Sequence, residues 1–189
     1  MQLVPHPALT DLGDDQLMTL AREGSRDAFR VLVRRHETKA VAFGTRYLGS
    51  APQAKDAAQE AFVELYLTLG RYQPRGHFPS YWHQILLNQC RMTVRAAASQ
   101  RAAYARLESV PSGTAATPDE LLSALQDQKA VTRALDTLSE KLRVVVALRF
   151  GAGLQLQEIA ETLELPVGTV KSRLFAGLAD LKSALKGTA

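Results

Sequence analysis

LQLQEIAETLELPVGTVKSRLFAGL, residues 154–178, divides into two helical patterns with a short turn between them. Ile159, Ala160 and Leu163 fall on one apolar face of the first pattern. Val170, Leu174 and Leu178 recur at i, i+4 and i+8 in the second and predict its buried seam. The turn, Glu164–Gly168, carries a glycine and Pro166, whose fixed φ suits the first turn of a helix. Ala160 is small enough for a second helix to cross it closely. This is the helix-turn-helix pattern, in which the second helix enters the major groove of DNA. At about 3.6 residues per turn, turning Val170 and Leu174 inward sends Thr169, Ser172 and Ala176 outward, with Lys171 and Arg173 on the flanks. The free N–H groups at the start of that helix favour phosphate. Lys171 and Arg173 can reach phosphates or guanine edges. An ordinary helical hairpin with a solvated basic turn is the plainer alternative.

Composition narrows the rest. The chain has 189 residues, 46% of them hydrophobic, enough for one domain or two small ones with a core in each. A single cysteine, Cys90, excludes a disulfide framework and a thiolate zinc cluster, and fits a reducing, cytoplasmic setting. No apolar run approaches the ~18 residues of a membrane span, so no membrane insertion is expected. The start, MQLVPHPALTD, lacks the basic and apolar regions of a secretory signal. The net charge is only +4, but its distribution is uneven. Six arginines (71, 75, 91, 95, 101 and 106) and no Asp or Glu lie between Arg71 and Leu107, an electrostatic footprint for nucleic acid or for an acidic partner.

Working outward, residues 1–13 read as a disordered lead-in. Asp14 or Asp15 can cap a first short helix and Ser25 a second. The second carries Phe29, Leu32, Val33, His36, Ala40, Phe43 and Tyr47 at steps of three and four, an amphipathic stripe in which His36 reads as a packed histidine. Gly49, Ser50 and Pro52 break the chain and start a third helix. Its apolar face is Ala58, Ala61, Phe62, Leu65 and Leu69, and its other face gathers Asp56, Gln59, Glu60 and Val63. That stripe is either solvated or a protein-docking surface. GRYQPRGHFP, residues 70–79, is a basic, aromatic loop, and a long helix follows from Ser80 to about Arg106. Aromatics interleaved with arginines suit single-stranded DNA, at about 1–3 kcal/mol per stacked base. Trp82 and Ile85 can equally be core. The small polar stretch 108–117 is a linker that separates a domain at 14–107 from one at 118–189. After it, Thr117-Pro118-Asp119-Glu120 forms a capping box before Leu121, Leu122 and Leu125. Ser139 caps a further helix that ends at Gly151 and Gly153. The expected fold is therefore all-α: two helical domains joined by a flexible linker, the second ending in the helix-turn-helix.

Four stretches in order, AKDAAQEAFVELYLTL (54–69), FPSYWHQILLNQCRMTVR (78–95), LSEKLRVVVALRF (138–150) and GLQLQEIAETLELPVGTVKSRL (153–174), resemble the extracytoplasmic-function sigma factors. These are the minimal two-domain initiation factors of bacterial transcription. The resemblance implies a protein that binds core RNA polymerase and promoter DNA, with no catalytic activity and no cofactor, and one often held inactive by an anti-sigma partner. It implies that Asp56, Gln59, Glu60 and Val63 dock on polymerase. It implies that Arg71, Tyr72, Arg75, His77, Tyr81, Asn88, Arg91 and Arg95 open and hold the minus-ten strand. It implies that Thr169, Lys171, Ser172 and Arg173 meet the minus-thirty-five duplex. Tyr81, Trp82, Met92, Gln155 and Phe175–Gly177 depart from the family pattern and bear on promoter choice rather than fold. A stand-alone helix-turn-helix regulator would leave the Asp56/Gln59/Glu60 stripe unexplained. A metal-dependent nuclease built on Asp56 and Glu60 would lack further ligands, since His6, His36, His77, His83 and Cys90 form no convincing set.

Overall fold

The computed structural model describes residues 8–105 and 133–186. The linker and the capping-box helix fall outside the described residues. Every regular element described is helical: α1 (Asp14–Arg22), α2 (Arg26–Leu48), α3 (Ala51–Leu67), α4 (Phe78–Ala105), α5 (Glu140–Ala147), α6 (Leu156–Leu163) and α7 (Val167–Lys186). Short 3-10 turns occur at Leu9–Asp11 and Leu69–Arg71, and a π turn, Leu148–Ala152, extends α5.

Local chemistry sets the starts. The Ser25 hydroxyl accepts the Ala28 N–H at 3.3 Å and the Ser50 hydroxyl accepts that of Gln53 at 3.5 Å. Gly49 takes the left-handed conformation, φ 71°, that turns α2 into α3. The cap of α1 differs from expectation. It is Gly13, whose N–H is held by the Gln16 side chain at 2.9 Å. Asp14 is thereby left to bind α2, where Arg35 donates to it at 2.5 Å and His36 at 2.9 Å. Burial opposes the ionisation of Asp14, but the bonds from His36 and Arg35 outweigh it and hold the carboxyl below its usual range. The lead-in is also partly tied down, since Arg35 donates to the carbonyls of Thr10 and Leu12. Helix α4 begins at Phe78, ahead of Ser80, because Pro79 in a first turn forfeits no helical hydrogen bond.

Packing explains which aromatic is structural. The Trp82 ring lies stacked on Phe62, centroids 4.4 Å apart, and is fully buried. Removing such a ring from a core costs about 3–5 kcal/mol. A stacked base returns about 1–3 kcal/mol, so Trp82 stays inside. Leu17, Met18, Leu32, Phe43, Leu65 and Leu86 complete this core.

The second half joins the same core rather than standing apart. Val144, Val145, Leu148, Ile159 and Val170 belong to one continuous buried cluster with Phe43, Trp82 and Leu86. At the seam, a Cβ placed on Gly151 would lie 2.7 Å from the Phe43 Cα, so backbone meets backbone. Within the second half, Gly177 lets α7 approach α5: its Cβ would stand 2.9 Å from Val146. This rotates the helix from the expected register. The inward positions are Val170, Leu174, Gly177 and Leu181, while Leu178 is 41% exposed.

His83 carries a testable consequence. It is buried, its Nδ1–H donates to the Pro79 carbonyl at 2.8 Å, and its Nε2 has no protein partner. Burial lowers its pKa to about 4. The unfolded chain takes up this proton near pH 6.5 and the native chain does not, so stability is lost as pH falls below 6.5, down to about 4. Between pH 7 and 5 this amounts to about 2 kcal/mol. Urea unfolding at the two pH values should show wild type losing about that much more than His83→Phe, which cannot titrate.

Candidate nucleic-acid interface

The helix-turn-helix is built as its sequence suggests, with substitutions in detail. Gln155 occupies the cap of α6, and its N–H is held by the Glu158 carboxylate at 2.6 Å. Glu164 ends α6 in the left-handed conformation at φ 53°. The Pro166 carbonyl receives the Thr169 and Val170 N–H groups at 2.9 and 3.2 Å, starting α7. Lys171 and Ser172 are exposed on its outer face, and Thr169 and Arg173 are partly buried beside it. Ala176, expected outward, is partly buried, and Phe175 is 79% exposed in its place. The rotation forced by Gly177 is the cause. A glycine one turn beyond a basic helix start, read as a packing contact, was the signal that could have found Phe175.

In the first half, the loop between Leu69–Arg71 and α4 is pinned by α1. The Tyr72 hydroxyl and the Gly76 N–H both donate to the Asp15 carboxylate, the latter at 2.5 Å. Tyr72, expected to face the DNA strand, is instead buried, and burial followed by the Asp15 bond raises its phenol pKa. Its edge packs on Tyr81 and Phe78, so it shapes the loop from beneath. Arg71, Arg75 and His77 are exposed on that loop, and Asn88 and Arg95 on α4. Tyr81 is partly buried, its hydroxyl donating to Thr68 at 3.2 Å.

The two halves also meet through polar contacts. The His77 Nδ1–H and the Ser80 hydroxyl donate to one Glu161 oxygen, each at 2.9 Å. These bonds, His77 first, hold Glu161 below its usual pKa. Arg91 donates twice to a Glu140 oxygen, at 3.1 and 3.0 Å, and the Tyr47 hydroxyl donates to the same atom at 3.1 Å. Burial works against ionised Glu140, yet the Arg91 and Tyr47 bonds prevail and lower its pKa. Burial, then Glu140, pushes the Tyr47 phenol up to about 12. The sequence gave no hint of these pairs, because their partners lie 49 to 93 positions apart.

On α3 the stripe Asp56, Gln59, Glu60 and Val63 is exposed as expected, Val63 by 48%. It borders an apolar groove between α2 and α3 lined by Phe29, Val33, Phe62 and Tyr66. Leu67 beside it is 77% exposed. Among the described residues no cluster of His, Cys, Asp and Glu could hold a metal ion. Burial pushes the Cys90 thiol up to about 12, which suppresses its thiolate. No described helix is long and apolar enough to cross a membrane.

Residues 32–100 match the family described as Sigma-70 region 2, and residues 128–181 match Sigma-70, region 4. The chain is 30% identical to the ECF RNA polymerase sigma-E factor of Escherichia coli K12, over 87% of its own length and 90% of the relative's. The chain belongs to the extracytoplasmic-function sigma factors. As an alternative sigma factor it directs promoter recognition in transcription initiation. It is also 28% identical to the RNA polymerase sigma-H factor of Pseudomonas aeruginosa PAO1, covering 94% of this chain and 96% of that one. Its fold matches CnrH solved in complex with the cytosolic domain of CnrY, with a TM-score of 0.71, 25% identity and coverage of 93% and 99%. It also matches the sigma factor RpoE of Bartonella quintana solved with the anti-sigma factor NepR, with a TM-score of 0.67, 19% identity and coverage of 84% and 96%. Sigma factors are DNA-binding regulatory subunits, and in this one the exposed cations of α4 and α7 lie on separate surfaces.

Removing the loop anchor has a local signature. Asp15→Ala should leave the Gly76 N–H without its carboxylate, and amide exchange at Gly76 should accelerate about tenfold, as the loss of one charged hydrogen bond requires. Hydrogen exchange followed by NMR checks this; an unchanged rate would mean the loop is held elsewhere.

Proposed function

We propose that this sigma factor divides its task among three surfaces. Asp56, Gln59, Glu60 and Val63 dock on core polymerase. Arg71, Arg75, His77, Tyr81, Asn88, Arg91 and Arg95 receive the opened minus-ten strand, with Tyr72 supporting the loop from below. Thr169, Lys171, Ser172 and Arg173 enter the minus-thirty-five duplex. The protein itself carries no catalytic activity and works in the cytoplasm, where polymerase and promoter are. The domains stay as expected at 14–107 and 118–189, with the linker 108–117 threading between them.

One observation supports this most directly. An acidic and apolar stripe on α3 stands in the open beside an apolar groove, in a molecule that otherwise packs its apolar surface between its halves. A stand-alone regulator has no use for such a surface. Exposed Phe175, next to Lys171 and Ser172, adds an apolar contact suited to a thymine methyl. It stands where a basic residue at position 176 would otherwise contribute. Both structural relatives were solved with a bound partner chain, one of them an anti-sigma factor, and an inhibitory protein partner is proposed here as well.

Run-off transcription with sigma-free core polymerase and sheared genomic DNA tests the assignment. Discrete starts sharing two upstream elements at fixed spacing are expected; no starts and no co-elution with polymerase would reject it. Asp56→Arg combined with Glu60→Arg should weaken holoenzyme formation roughly tenfold. Its unfolding free energy should stay within about 0.5 kcal/mol per substitution, as for exposed sites. Lys171→Ala should weaken holoenzyme binding to all promoters alike and reduce the slope of log affinity against log salt by about one, measured by salt-series titration.

A further inference from the structure

We infer that the second domain is an intramolecular stand-in for the opened DNA strand, holding the free sigma factor closed until polymerase separates the halves. The inference rests on the strand-binding role proposed for α4. Two of the residues assigned to that strand are already occupied. His77 gives its Nδ1–H to Glu161 at 2.9 Å, and Arg91 gives two N–H groups to Glu140 at 3.1 and 3.0 Å. A carboxylate oxygen accepting from Arg and His presents what a phosphate oxygen would present. Between these pairs, Ser80 donates to Glu161 at 2.9 Å and to the Glu158 carbonyl at 3.3 Å. Gln84 donates to Glu164 at 3.2 Å. Residues 77, 80, 84 and 91 run along one side of α4 over about 20 Å. The acceptors come from α5 and α6, on the far side of the linker.

The closure is apolar in its middle and ionic at its rim. Phe43 meets Gly151 backbone to backbone, and Val144, Val145 and Leu148 share the core of the first half. The ionic contacts are partly exposed: the Arg91 side chain by 37% and Glu140 by 49%, His77 by 59% and Glu161 by 32%. Exposed pairs of this kind are individually weak and exchange readily with other anions. The α3 stripe lies outside the closure. Polymerase can therefore dock first and open the molecule second, and free protein does not spend its cationic surface on nucleic acid elsewhere.

Gly151 provides a wedge that alters no charge. It has a negative φ, so a side chain is tolerated by the local backbone, but any Cβ collides with α2 in the closed form. The full chain would be labelled with a donor and acceptor at Glu23→Cys and Asp180→Cys, both exposed and away from the closure. A fluorescent mixed-sequence single-stranded deoxyoligonucleotide is the probe. Gly151→Leu should lower energy transfer and bind the oligonucleotide at least fivefold more tightly. Glu140→Gln with Glu161→Gln should do the same to a lesser degree, and keeps the test available should the wedge variant fail to fold. Core polymerase should lower transfer in the wild-type chain. Low transfer in the free wild type, or opened variants with unchanged oligonucleotide affinity, would overturn the inference. So would holoenzyme formation with transfer unchanged, and that result would leave the sigma assignment standing. Failure to form holoenzyme at all would instead remove the strand-binding role on which the inference rests.

Discussion

The contact of Phe43 with Gly151 governs how this molecule is put together. Two helical domains that a linker could hold apart share one core because the turn after α5 has no side chain where it crosses α2. Once backbone touches backbone there, Val144, Val145 and Leu148 reach the first half, and the hydrophobic effect, proportional to the area removed from water, favours the joined form. Everything polar at the seam follows from that placement. Glu140 falls opposite Arg91 and Tyr47, and Glu161 opposite His77 and Ser80, because the apolar contact fixes where α5 and α6 lie.

The division of the surface has a physical logic. Cations on α4 and the loop before it are concentrated without local acids, so they must be neutralised by something in the free state. In the closed form the neutralising groups are carboxylates of the same chain. The recognition helix α7 lies outside that arrangement, with Lys171 and Ser172 open to solvent. The α3 stripe is open too, and its apolar neighbours Tyr66 and Leu67 remain uncovered, at 47% and 77% exposure. A sigma factor must meet polymerase before it meets the melted strand, and the surfaces are exposed in that order.

The fold was legible because it is written in short-range patterns. Helical periodicity, the caps at Ser25 and Ser50 and the break at Gly49 each act over a few residues, and each element formed near its expected place. The stripe on α3 was equally legible, since an amphipathic helix has only two faces to choose between. Tyr72 was misjudged for the opposite reason. Its position in a basic loop suggests a strand contact, but its burial depends on Asp15, 57 positions away. Phe175 was hidden by a rotation of α7 that only the packing of Gly177 on Val146 produces.

The sequence by itself determined the all-α class, the helix-turn-helix, the basic loop and the family, since all of these rest on residue spacing and local backbone preference. Tertiary structure alone decided that the two halves close on each other, that Trp82 and His83 are interior, and which face α7 turns outward. Those outcomes depend on contacts between residues far apart in the chain, whose energies are set by close packing and desolvation, and no local pattern encodes the partner of a group that lies in another helix.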